Sequence, residues 1–176
     1  MKSIILTDGG MGQELINRSG DAPTPLWATR VMMDHPGLVG QIHADYFRAG
    51  ASIATANTYA IHHDRLEKFG LDHRFGDLHL QALSEAGAAR GAHGSGRIAG
   101  SLGPLVASYR PEVFPPHAEA VACYAEVARL LAPHVDLLIA ETVASLSHAR
   151  AVLEGVACGL RDSFELMKAA GLPPVE

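Results

Sequence analysis

Cysteine is scarce: Cys123 and Cys158 are the only two among 176 residues. They are far apart and unpatterned, which excludes a disulfide framework and suits a reducing compartment. No Cys-x-x-Cys or His-x-x-x-His pair occurs, so no metal-ligand spacing is visible. No stretch is apolar for the ~18 residues that a membrane-spanning helix needs, and the residues before Asp8 are too few for the apolar region of a signal peptide. A cytoplasmic location is the expectation. Basic runs are missing as well. Lys and Arg number 14 against 19 Asp and Glu, for a net charge of −5, which leaves no electrostatic footprint for a nucleic acid. A Gly-x-Gly-x-x-Gly fingerprint is also absent; the nearest run, Gly9-Gly10-Met11-Gly12, has the wrong spacing for a dinucleotide site.

What the chain does have is alternation. Hydrophobic residues make up 48% and charged residues 19%, a folded composition with enough length for one sizeable core. Four short apolar runs read as strands: Ile4-Ile5-Leu6-Thr7, Ser52 to Asn57, Arg97 to Ser101 and Asp136 to Glu141. Helical patterns lie between them: Pro36 to Ala49 closed by Gly50, Asp72 to Ala92, His117 to Ala132, and Ser145 to Val156 with Ser145 as N-cap. Strands joined by long crossovers pair in parallel through right-handed βαβ units. The fold class is therefore α/β of the parallel (β/α) barrel type, with about the first four βα units of a TIM barrel, since a whole one needs about 250 residues. A doubly wound open sheet is the rival on pattern alone. Gly159 reads as the end of the fourth crossover helix. Residues Asp162 to Ala170 then read as a separate short helix, stopped by Gly171-Leu172-Pro173-Pro174.

Three of the strands end in polar residues, Asp8, Asn57 and Glu141. Each shares side-chain parity with the apolar residues two and four before it. Parallel strands put their C-terminal ends on one rim, where barrel enzymes build their sites. Two carboxylates and an amide would then converge, with Gly9 and Gly10 letting the backbone approach a ligand and offering N–H groups. An α-amino acid head group is a natural guest, its ammonium held by charge-assisted hydrogen bonds. A glycosidase acid–base pair or a Mg²⁺ site would use the same carboxylates. The ten histidines, including His43, His62, His63, His73, His79 and His93, read as solvated surface. Trp27 and Met32-Met33 read as packing residues, and Cys123 as a core residue on a helix face.

The motifs that carry these features resemble the homocysteine S-methyltransferase family. They are Asp8 to Leu15, His43 to Ala51, Thr55 to Tyr59, Ala99 to Pro104 and Glu141 to Leu146, in that order along residues 1–158. The resemblance implies a (β/α)8 barrel whose enzymes methylate the homocysteine sulfur to give methionine. The donors in the family are S-methylmethionine, S-adenosylmethionine, betaine or a methylated folate. It implies that Asp8 and Glu141 hold the amino group, that N–H groups near Gly9 and Gly10 meet the carboxylate, and that Asn57 and Thr58 line the pocket. No catalytic residue is assigned.

The family binds Zn²⁺ through three cysteine thiolates from the second half of the barrel, two of them in a Gly-Gly-Cys-Cys motif. Neither Cys123 nor Cys158 matches them, so no metal ligand is assigned to this chain, which is expected to be inactive alone. On this reading residues 1–158 are the N-terminal half of such a barrel, and residues 159–176 are a divergent tail with a short helix. The alternative is a non-catalytic half-barrel that binds an amino acid, or pairs with another chain or a second copy through its open sheet edges.

Overall fold

β-Branched and small apolar residues set the strands where a buried extended run is bounded by turn formers. In the computed structural model, which describes residues 4–170, these are β1 (Ile53–Thr55), β2 (Arg97–Leu102) and β3 (Leu137–Ala140). They form one parallel sheet in the order β1-β2-β3, with Thr55 opposite Ala99 and Ser101 opposite Ile139. The run Ile4 to Thr7, expected as a full strand, joins through a single parallel bridge from Thr7 to Ile53. Two backbone bonds flank it: Ser52 N–H donates to Leu6 O (2.8 Å) and Asp8 N–H to Ile53 O (3.0 Å). The segment has a partner on one side only and leaves Ile4, Ile5 and Leu6 exposed.

Seven α-helices accompany the sheet among the described residues: α1 (Met11–Ser19), α2 (Trp27–Asp34), α3 (Leu38–Arg48), α4 (His63–Leu66), α5 (Phe75–His93), α6 (His117–Leu131) and α7 (Leu146–Ala169). α3 stops where Gly50 takes φ +103°, a left-handed conformation that glycine reaches without a Cβ clash. α5 buries Phe75, Leu78, His79, Ala82, Leu83, Ala86 and Ala89, a stripe of helical period that lies against α3 and the sheet. α7 starts as expected, with the Ser145 hydroxyl accepting the N–H of His148 at 3.1 Å. The main core holds Leu15, Met32, Ile42, Ile61, Leu66, Leu78, Ile98, Leu102, Tyr124 and Leu131.

Two expectations are corrected. α7 does not end at Gly159, and residues 162–170 are not a separate helix; one helix runs unbroken to Ala169. Gly155 and Gly159 serve close approach to α6 instead. A Cβ on Gly155 would fall 2.5 Å from Tyr124 Cβ, and one on Gly159 would fall 2.4 Å from Ala125 O. A glycine that admits a neighbouring backbone is tolerated inside a helix because packing outweighs its intrinsic cost of about 1 kcal/mol. The stop at Gly171 to Pro174 lies outside the described residues. The histidines, read as surface, divide: His73 and His93 are exposed, whereas His43, His62, His79 and His148 are buried. No described helix is long and apolar enough to cross a membrane.

Candidate functional site

The C-terminal ends of the parallel segments meet at one open cavity of about 690 Å³. Asp8, Gly9, Gly10, Asn57 and Glu141 all line it, so five of the six residues singled out from sequence come together. Thr58 does not line it. Asn57 and Thr58 stand in the turn that follows β1, closed by Thr58 N–H on Ala56 O (2.7 Å) and Ile61 N–H on Thr58 O (3.0 Å). The Thr58 hydroxyl is fully buried, donating to Ser101 O (2.8 Å) and accepting Ser101 N–H (3.0 Å). Its work is to tie the end of β2 to the loop after β1.

Each carboxylate is anchored by a neighbouring strand. Thr55 N–H donates to Asp8 Oδ2 (2.6 Å) and the Thr55 hydroxyl to Oδ1 (2.7 Å). The Asp8 side chain is 3% exposed. Burial raises its carboxyl above the ordinary range, and the Thr55 bonds only partly offset this. A cation in the cavity would restore the charged form. The Glu141 carboxylate accepts the Ser101 hydroxyl. Glu141 follows β3 directly, with its N–H on Leu102 O (3.2 Å). Asn57 is buried, its amide donating to Ala28 O at 3.3 Å.

The N-terminus of α1 completes the floor. Gly10 is its N-cap, and Met11, Gly12 and Gln13 supply the first-turn N–H groups, which have no partner within the helix. Such an end favours an anionic ligand.

Sequence reasoning missed several lining residues. Trp27, read as packing, reaches the cavity as well as the core, and Tyr59, Tyr109 and Thr142 join it. Three of these carry positive φ: Trp27 (47°), Tyr109 (61°) and Thr142 (58°). Left-handed backbone at non-glycine residues, and above all at β-branched Thr142, persists only where surroundings enforce it, often at binding sites. No sequence signal announces it. Gly12 is the one legible hint, because a Cβ there would fall 2.0 Å from Trp27 Nε1.

The lining contains two carboxylates and no Lys, Arg or His. Among the described residues no group of three or more His, Cys, Asp or Glu is arranged to hold a metal ion. Cys123 and Cys158 are free thiols on α6 and α7, and neither lines the cavity. The residues present therefore do not fit a thiolate-bound zinc.

The model of the homocysteine S-methyltransferase family matches residues 5–168. The chain belongs to this family. Homocysteine S-methyltransferase of Escherichia coli strain K12 is 30% identical over 171 residues, covering 87% of this chain and 54% of that protein. The chain thus spans about half the length of that curated relative. Homocysteine S-methyltransferase YbgG of Bacillus subtilis is 38% identical over a shorter stretch of 56 residues, covering 32% of this chain and 18% of that protein.

Two crystal structures of the E. coli homocysteine methyltransferase MmuM superpose on this fold. The metallated form does so with a TM-score of 0.78 at 26% identity, over 98% of this chain and 72% of that one. The oxidized form gives 0.80 at 28% identity, over 90% and 59%. A metal is thus plausible for the family, while this chain's described residues offer no ligand set for it.

Proposed function

We propose that this chain is the amino-acid-binding part of a homocysteine S-methyltransferase, in which the parallel sheet forms the first arc of a (β/α)8 barrel. The observation that carries the reading is the shared cavity of Asp8, Glu141 and the free N–H groups at the start of α1. The substrate ammonium would lie between the two carboxylates, and its carboxylate would meet the N–H groups of Gly10 to Gln13, with Asn57 beside it. These contacts orient the side chain and its sulfur, a proximity role and not acid–base chemistry.

In the reaction the homocysteine sulfur forms a bond to the methyl carbon as the donor's bond to that carbon breaks. A sulfonium donor departs as a neutral thioether, and the thiol proton goes to solvent. The absence of basic residues from the lining and the presence of Trp27, Tyr59 and Tyr109 favour a cationic donor, such as S-methylmethionine, over an anionic folate. Thiol activation is a separate matter. An unperturbed thiol has a pKa of about 8.5, so the nucleophilic thiolate is a minor species at neutral pH. The zinc ligands that the family uses for this step find no counterpart among these residues.

Exposed Ile4, Ile5 and Leu6 along the outer edge support docking of a second copy or of another chain there, which sedimentation would reveal. The main test supplies the purified chain with L-homocysteine and S-methylmethionine and follows both binding and methionine. Binding with little methionine at neutral pH is expected. Absence of binding would overturn the reading.

A further inference from the structure

His43 is fully buried on the inner face of α3, beside Val39, Ile42 and Phe47. Neither of its ring nitrogens has a hydrogen-bond partner. Buried polar groups are nearly always satisfied, and an exception asks for an explanation. Nδ1 lies 3.9 Å from Oδ2 of Asp8, and the two side chains are 0% and 3% exposed. The gap is about 1 Å longer than a hydrogen bond, which a small side-chain rotation closes. Asp8 has room for such a partner. Thr55 supplies one bond to each carboxylate oxygen, whereas a carboxylate accepts about four. The free capacity faces the cavity on one side and His43 on the other.

We propose that His43 is a positioning residue for the substrate-binding carboxylate: as a neutral imidazole carrying its proton on Nδ1, it donates to Asp8 Oδ2 and keeps the carboxylate turned toward the ligand's ammonium group. This rests on the reading of Asp8 as the partner of that ammonium. The neutral state is what the role requires. A protonated His43 would cancel the charge of Asp8 and repel the ammonium, whereas a neutral donor supports the carboxylate and leaves its negative charge for the ligand. Burial agrees with this, holding His43 at about 4 and so uncharged at neutral pH.

The test reads the His43 tautomer by long-range ¹H–¹⁵N correlation in the wild-type chain and in Asp8→Ala, with no ligand present. The Nδ1–H tautomer is expected in the wild type and its loss in Asp8→Ala. An Nε2–H tautomer in the wild type, or an unchanged tautomer in the variant, would overturn the pairing.

A second arm measures L-homocysteine affinity. His43→Leu should weaken it about tenfold, and His43→Asn, whose amide N–H occupies the place of Nδ1–H, should recover most of the loss. Equal affinity in wild type and His43→Leu would overturn the positioning role. Failure of the wild type to bind homocysteine while the tautomer still follows Asp8 would instead count against the proposed function. Because the first arm needs no His43 variant, it decides the pairing even if His43→Leu does not fold.

Discussion

Lowering the pH from 7 to 5 should destabilise this fold strongly, because His43, His62, His79 and His148 are buried and burial lowers the pKa of each. Burial holds His43 and His79 at about 4 and His62 at about 3, below the ordinary 6.5. For a base with a depressed folded-state value, the unfolded chain takes up the proton first. Stability is therefore complete above about 6.5 and falls as the pH drops toward 4. A pH of 5 lies about 1.5 units below the unfolded value of each of His43, His62 and His79, and at 1.36 kcal/mol per unit this costs about 2 kcal/mol per histidine.

The three together cost about 6 kcal/mol, a large part of the 5–15 kcal/mol typical of a folded domain. His63 opposes this weakly. Burial disfavours its charge, yet its pairs with Asp72 and Glu126 leave its pKa raised. Its contribution is present below the unfolded value and lost as pH rises through the folded one. With a side chain 34% exposed, it is screened by solvent and offsets little. Urea unfolding followed by circular dichroism at pH 7, 6 and 5 should show the midpoint falling by roughly 2–3 M, given a slope of about 2 kcal/mol per M. His79→Leu should remove about a third of the change. A free energy of unfolding that stays flat from pH 7 to 5 would refute the assignment of these three side chains to the core.

Other consequences follow from individual contacts. Gly159→Leu sets side-chain atoms against Ala125 O, where even a Cβ would come within 2.4 Å. It should cost about 3 kcal/mol and lower the Tm by roughly 6–12 °C in a scan. Gly12→Val must displace the indole of Trp27, the only tryptophan in the chain; a shifted emission maximum is expected, and an unchanged spectrum would contradict the close contact. Ser101→Ala frees the Glu141 carboxylate and should weaken amino-acid binding about tenfold, or ~1.4 kcal/mol, in a calorimetric titration.

The fold was legible in sequence where a pattern has a single physical reading. Strands β1, β2 and β3 and helices α3, α5 and α6 sit where periodicity and Gly50 put them, and Ser145 caps α7 as expected, whereas α3 starts at Leu38, two residues after Pro36. The failures have physical causes. Gly159 as a helix stop and Gly159 as a place of close helix contact look alike in one dimension, and only the position of Ala125 decides between them. The buried histidines sit at scattered places, His43 on α3, His62 before α4, His79 among the alanines of α5 and His148 on α7, where residue type alone does not mark burial.

At the site, strand parity correctly gathered Asp8, Asn57 and Glu141. Thr58, carried only by motif likeness, stays out of the cavity because its hydroxyl is held by the backbone of Ser101. Trp27, Tyr109 and Thr142 were beyond reach, because their place in the cavity depends on left-handed backbone that tertiary contacts impose.

The central claim is that the cavity clasps an ammonium group between Asp8 and Glu141. The most direct measurement is titration of the chain with L-homocysteine and with the same thiol acid lacking the amino group, read by Trp27 fluorescence, in wild type and Asp8→Asn. The account predicts that the wild type binds the amino acid at least tenfold more tightly than the des-amino compound, and that Asp8→Asn abolishes most of this difference. Equal affinity of the wild type for both compounds would contradict it.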